Sequence, residues 1–89
     1  MFTANLKIKD VKSEIGKLVK SYRKEQKLSQ QELAELLELS RITIQNLESG
    51  KNFTIDTLLK VFNHFDLLVG FNQFLIDKRN EKEQLTSLY

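Results

Sequence analysis

Arg41, Ile42, Gln45 and Asn46 lie within one short stretch, at spacings that put them on a single side of a helix. Side chains of these types suit one kind of chemistry. An arginine can fork onto the acceptors of a guanine edge, a glutamine or asparagine can pair with an adenine edge, and an isoleucine can lie against a thymine methyl. Ile44 and Leu47 fall on the opposite side, so the polar face has an apolar back. Upstream, Gln30 and Gln31 are amides of the kind that suits phosphate when placed beside the exposed N–H groups of a helix start. Catalysis has little to draw on: His64 is the only histidine and there is no cysteine. A tuned acid–base or thiol centre is therefore not expected, and neither is a metal site or a cofactor.

The elements that must position these groups can be read from their caps. Ser29 followed by Glu32 forms a capping box, so a helix should start at Gln30, with Leu33, Ala34, Leu36 and Leu37 as its apolar face. Ser40 is a second N-cap, opening a helix over Arg41–Leu47 that Gly50 closes, because glycine enters the left-handed region without a Cβ penalty. Two short helices joined by one tight turn make a helix-turn-helix pattern, whose natural ligand is duplex DNA. The plain alternative is a solvated helical hairpin. Paired caps at this spacing, and an outer face of amides and arginine rather than glutamate, favour DNA.

Around that centre, Val11, Ile15, Leu18, Val19 and Tyr22 recur at helical spacing and predict a first helix from about Val11 to Gln26, with Asp10 as its cap. Lys12, Lys17, Lys20, Lys24 and Lys27 fall mostly on its wet side. Thr54 can cap a fourth helix carrying Ile55, Leu58, Leu59, Val61, Phe62 and Phe65, with Leu28 and Leu39 plugging the loops. His64 is expected at a partly buried edge of that helix. The net charge is only +2, but residues 1–30 hold eight Lys/Arg against three Asp/Glu, an excess that can meet phosphate and steer association. Charges break every apolar run, which argues against a membrane-spanning helix, and no segment resembles a signal peptide; a cytoplasmic location is the default expectation. Eighty-nine residues suffice for one domain with a modest core.

The segment from Tyr22-Arg-Lys-Glu-Gln-Lys-Leu-Ser-Gln-Gln-Glu-Leu-Ala to Thr43-Ile-Gln-Asn-Leu-Glu-Ser-Gly-Lys51 resembles the Xre/Cro family of phage and bacterial repressors, over roughly residues 11–68. That resemblance places Gln30 at the amide touching backbone and base edge. It puts Arg41, Ile42 and Asn46 at recognition positions with Gln45 beside them, and Lys51 and Asn52 in a loop that meets phosphate. Gln31 and Thr43 join the expected phosphate contacts. It also implies that Arg23 pairs with Glu48, fastening the first helix to the third. One departure is Glu38, which stands in the interhelical turn where the family usually has glycine. Another is Ile42, apolar at a recognition position, which favours a thymine methyl over a base hydrogen bond.

Beyond Asp66 the texture changes. Leu67, Val69 and Phe71 alternate with Leu68, Gly70 and Asn72, then Phe74, Leu75 and Ile76 follow; this reads as a β segment. A lone strand cannot satisfy its edge, so Leu67, Val69, Phe71, Phe74 and Ile76 are expected to pair with the same segment of a second subunit. A final helix, or an extended tail packed on its own domain, is the alternative. Thr3 to Ile8 could add a short edge strand. The expected architecture is thus mainly α: an Xre/Cro-type bundle of four to five helices with a C-terminal β segment in the dimer interface. It divides into an N-terminal arm (1–10), the DNA-binding domain (11–66), the β dimerisation segment (67–76) and a flexible tail (77–89). Leu85, Leu88 and Tyr89 are the tail's partner-binding hydrophobes.

A helix-turn-helix module followed at once by a β segment is similar to the antitoxins that accompany HipA-type kinase toxins. The implied function is that of a homodimeric, autoregulating repressor bound to an inverted-repeat operator, with a kinase-like toxin as second partner. A stand-alone phage-type or metabolic repressor is the first alternative. A protein-binding adaptor that has lost DNA is the second.

Overall fold

A computed structural model describes residues 5–87, and among these every regular element is a helix. In chain order they are α1 (Ile8–Glu25), α2 (Gln30–Leu37), α3 (Arg41–Glu48), α4 (Ile55–His64) and α5 (Leu68–Ser87). The first helix starts earlier than its apolar spacing suggests. Asp10 stabilises that start from the third position rather than as the cap itself, its carboxylate accepting the Lys7 backbone N–H at 2.9 Å. Ile15, Val19 and Tyr22 turn inward, whereas Val11 and Leu18 stay exposed. Ser29, Ser40 and Thr54 open α2, α3 and α4, each hydroxyl accepting a backbone N–H of the first turn at 3.0–3.1 Å.

Three of the helices end alike. Lys27, Glu38 and Asp66 each adopt the left-handed conformation, with φ of 57–59°. The next residue, a leucine every time, sends its N–H back five residues: Leu28 to Arg23, Leu39 to Ala34 and Leu67 to Phe62, at 2.8–3.1 Å. These are Schellman closures in which the leucine drops onto the core after capping the helix. Glu38 therefore takes the backbone shape that glycine would supply in this turn, and the turn stays tight. Gly50 closes α3 the same way at φ 80°, with Lys51 N–H reaching the Asn46 carbonyl at 2.9 Å.

Val19, Leu33, Ala34, Ile44, Leu47, Leu58, Val61, Phe62 and Phe65 form one core that draws on α1–α4 and the end of α4. Tyr22 stacks tilted against Phe65, with ring centroids 5.4 Å apart. His64 sits half-buried at the helix edge, 3.1 Å from Gln26 Oε1 and edge-on to Phe65. The close approach of α1 to α3 depends on Gly16. A methyl group there would meet the Glu48 carbonyl oxygen, with the Glu48 carbonyl carbon and the Leu47 oxygen at 2.8 Å.

The C-terminal β segment is not formed: α5 occupies those residues, and no strand is present among the described residues. The spacing accounts for this, because Leu68, Phe71 and Leu75 recur at i, i+3 and i+7, and the adjacent apolar pair Leu68–Val69 breaks strand alternation. A helix also satisfies its own backbone N–H and C=O groups, which an unpaired strand cannot. Residues 77–87, expected as a flexible tail, continue the helix. Exposed pairs line it: Gln73–Asp77 at 2.9 Å, Lys78–Glu81 at 3.5 Å and Arg79–Glu83 at 3.9 Å. Of the five residues assigned to a strand interface, Leu67 and Phe71 pack on their own core, Phe71 edge-on to Phe62 at 5.6 Å. Ile76 is half-buried, while Val69 and Phe74 are exposed. Ile8 opens α1 instead of ending an edge strand, and Thr3, Leu88 and Tyr89 lie outside the described residues.

Candidate nucleic-acid interface

The candidate recognition face is built on α3, whose Ile44 and Leu47 are wholly buried and so fix the helix's rotation about its axis. Arg41, Ile42 and Gln45 are then forced outward and Asn46 is half-exposed beside them. Ile42 is 57% exposed, an apolar group held in water by the packing of its neighbours. Among the described residues, the side chains of Arg41, Gln45 and Asn46 have no hydrogen-bond or ion-pair partner. Their donors and acceptors are uncommitted, unlike those of most polar groups around them.

Of the other candidate contacts, Gln30, Gln31, Thr43 and Asn52 are already engaged within the fold. Gln31 Nε2 donates to Glu35 Oε2 at 2.9 Å, and the Thr43 and Ser40 hydroxyls share a hydrogen bond of 2.8 Å. Gln30 is half-buried and donates through Nε2 to Glu48 Oε1 at 3.0 Å, which leaves its carbonyl oxygen and second N–H for a ligand. Lys51 and Asn52 are exposed on the loop between α3 and α4, where Asn52 Oδ1 accepts from Lys12 Nζ at 2.5 Å. By its spacing alone Lys12 belongs with the solvated lysines of α1. The signal that spacing misses is tertiary, a contact spanning forty positions.

One buried ion pair holds these pieces in register. Arg23 Nε and Nη2 donate to the two Glu48 carboxylate oxygens at 2.6 and 3.0 Å, and Nη1 donates to the Leu28 carbonyl at 2.7 Å. Both side chains are nearly inaccessible, at 9% and 3%. The hydrogen bond to Glu48 raises the Arg23 pKa above its ordinary value, burial opposes this, and the Glu48 charge adds to the rise. Glu48 thus joins the end of α1, the start of α2 and the end of α3, so both helices of the motif are tied to α1 through one carboxylate.

A helix-turn-helix family model matches residues 19–68, more than half of the chain, and spans α2, the turn and α3 whole. The chain belongs to the Xre/Cro-type helix-turn-helix family. Domains of this family are DNA-binding modules without catalytic activity, and this helix-turn-helix protein is accordingly a sequence-specific DNA-binding regulatory protein. No curated protein matches the chain. No helix among the described residues is long and apolar enough to cross a membrane. The family match stops at Leu68, so all but the first residue of α5 lies beyond it, as do Ile8–Leu18 of α1.

Proposed function

We propose that this helix-turn-helix protein is a stand-alone repressor that binds an inverted-repeat operator as a homodimer. Arg41, Ile42, Gln45 and Asn46 read base edges, assisted by Gln30, while Gln31, Thr43, Lys51 and Asn52 meet phosphates. The observation that carries this reading is the bare outer face of α3, where three polar side chains are held in place by a buried back and bonded to nothing among the described residues. An adaptor that had lost DNA would not require such a face.

The dimer surface in this reading is helical. Ile55 and Leu59 of α4 and Leu68, Val69, Phe71 and Leu75 of α5 line an open apolar groove of about 650 Å³. Val69 is 81% exposed and Phe74 53%. A helix that is apolar nearly all round in its first turns needs more cover than its own core gives it. A second copy of the chain is the occupant that would also bring a second recognition helix to a two-fold site. The likeness to kinase-toxin antitoxins rested on a strand after the module, and α5 removes that ground, so the toxin partner gives way to the stand-alone repressor.

The test is discrimination between operator and scrambled duplex, using the chain's own upstream DNA. Arg41→Ala and Asn46→Ala should each lose about 1–3 kcal/mol of discrimination if their contacts are bidentate. Footprinting should find half-sites about 34 Å apart on one face of the duplex. An Arg41→Ala variant that still tells the two duplexes apart would refute the assignment.

A further inference from the structure

The early turns of α1 precede the family match, yet they press directly on the end of the recognition helix and the loop after it. Two glycines record how closely. A methyl group on Gly50 would sit 3.4 Å from Ser13 Cα and 3.8 Å from the Lys12 carbonyl carbon. On Gly16 it would collide with the backbone of Leu47 and Glu48. Backbone packed on backbone in this way fixes where Lys12 stands relative to residues 50–52.

Lys12 is half-buried, whereas Lys9, Lys17, Lys20 and Lys24 on the same helix are exposed. Its stem is packed and its ammonium rests on a neutral acceptor, Asn52 Oδ1, at 2.5 Å. Among the described residues it forms no ion pair, and the carboxylates of its own turn are used elsewhere: Glu14 pairs with Lys17 at 3.2 Å and Asp10 caps the helix. Lys51, next to Asn52 in the chain, has no ion pair either. One ammonium group on α1, seated on Asn52, and one on the loop at Lys51, neither bonded to a carboxylate among the described residues, form a positive site that an anion would relieve.

We propose that Lys12 is a DNA-phosphate contact contributed by the extension of α1, acting with Lys51 and Asn52 on one backbone phosphate beside each half-site. The proposal rests on the DNA-binding reading above. The chemistry is specific. By donating to Oδ1, Lys12 sets the Asn52 amide with its Nδ2–H donors turned away from the ammonium, and it keeps two N–H donors of its own for phosphate oxygens. An amide left to rotate would present acceptor and donor alike. Such a contact adds affinity and register to every sequence equally, since phosphates carry no base identity.

The experiment measures binding of the full chain to operator and scrambled duplexes over a salt series, by fluorescence anisotropy. Lys12→Gln should weaken both duplexes by the same factor. It should also flatten the plot of log K against log salt by about 0.9 per protomer, or about threefold in affinity between roughly 50 and 200 mM. Lys12→Arg should keep the wild-type slope. Asn52→Asp, which places a carboxylate under the ammonium, should weaken both duplexes without lowering the melting temperature. A purely structural lysine would lower the melting temperature and leave the slope alone, so Lys12→Gln with a wild-type slope would overturn the proposal by itself. Wild-type protein that binds neither duplex would overturn the DNA-binding reading and this proposal together.

Discussion

The same substitution at two glycines should act with opposite signs. Gly16 and Gly70 both lie in helices, and in a helix interior alanine is worth about 1 kcal/mol over glycine by propensity alone. At Gly70 nothing lies within 4 Å of the new methyl group, so Gly70→Ala should be stabilising by up to that amount. At Gly16 the methyl would face the Leu47 oxygen and the Glu48 carbonyl carbon at 2.8 Å, closer than ordinary van der Waals contact by more than half an ångström. These are backbone atoms of α3, so no side chain can swing aside; α1 must shift or α3 must give. Overpacking of this kind costs about 1–3 kcal/mol, and with backbone on the receiving side the upper end applies. Subtracting the helix gain leaves Gly16→Ala destabilised by about 2 kcal/mol. For a domain of this size each kcal/mol moves Tm by about 4–8 °C, so Gly16→Ala should melt about 8–16 °C lower and Gly70→Ala a few degrees higher. Thermal unfolding followed by circular dichroism measures both. Equal upward shifts would refute the packing of α1 on the end of α3, and with it the placement of Lys12.

Arg23→Ala should strand the Glu48 carboxylate, 3% exposed, at a cost of about 3–5 kcal/mol, whereas exposed Lys24→Ala should leave Tm nearly unchanged. Because the Arg23 pKa is raised by Glu48, the guanidinium's share of stability is complete below its ordinary value and is lost only as pH rises through the higher folded value. The Tm gap between wild type and Arg23→Ala should therefore stay constant from about pH 7 to pH 9, and a gap that closes over that range would count against the pair. Replacing Lys27, Glu38 or Asp66 with glycine should relieve left-handed backbone strain of about 1 kcal/mol, offset in part by the freedom glycine adds to the unfolded chain; denaturant midpoints that fall in all three would contradict those closures. Val69→Glu with Phe74→Glu should shift sedimentation toward monomer and weaken operator binding together, and wild type that sediments as a monomer at tens of micromolar would exclude the dimer.

How much of this was legible in the sequence depended on whether the signal was local. Ser29, Glu32, Ser40 and Thr54 announce helix starts through residues three apart, and the starts of α2, α3 and α4 fall where those residues put them. The outer face of α3 was equally readable, because burying Ile44 and Leu47 leaves Arg41, Ile42 and Gln45 nowhere else to go. Gly16, by contrast, reads as a weak point in a helix until α3 is laid against it. Lys12 reads as one lysine among five until its ammonium is found on Asn52. Neither property belongs to a window of sequence.

The strand assigned to 67–76 failed for a different reason, since the signal was local but ambiguous. Leu67, Val69 and Phe71 satisfy a period of two, while Leu68, Phe71 and Leu75 satisfy a helical period, and a short apolar run supports both. What separates them is the cost of the backbone. A strand here has no partner within the described chain and would leave a row of N–H and C=O groups unpaired, whereas a helix pairs them internally and is extended by the side-chain pairs of 73–83. The Asp66–Leu67 closure decides where that helix begins, because Asp66 at φ 59° redirects the chain after α4 and Leu67 seats on the core. With the start fixed, Leu68 and Phe71 must face the core, and Val69 and Phe74 are carried to the outside by the helical turn. The surface proposed for a second subunit is therefore a consequence of that one closure. Glycine at Asp66 should preserve that surface, and a residue unable to enter the left-handed region should disperse it.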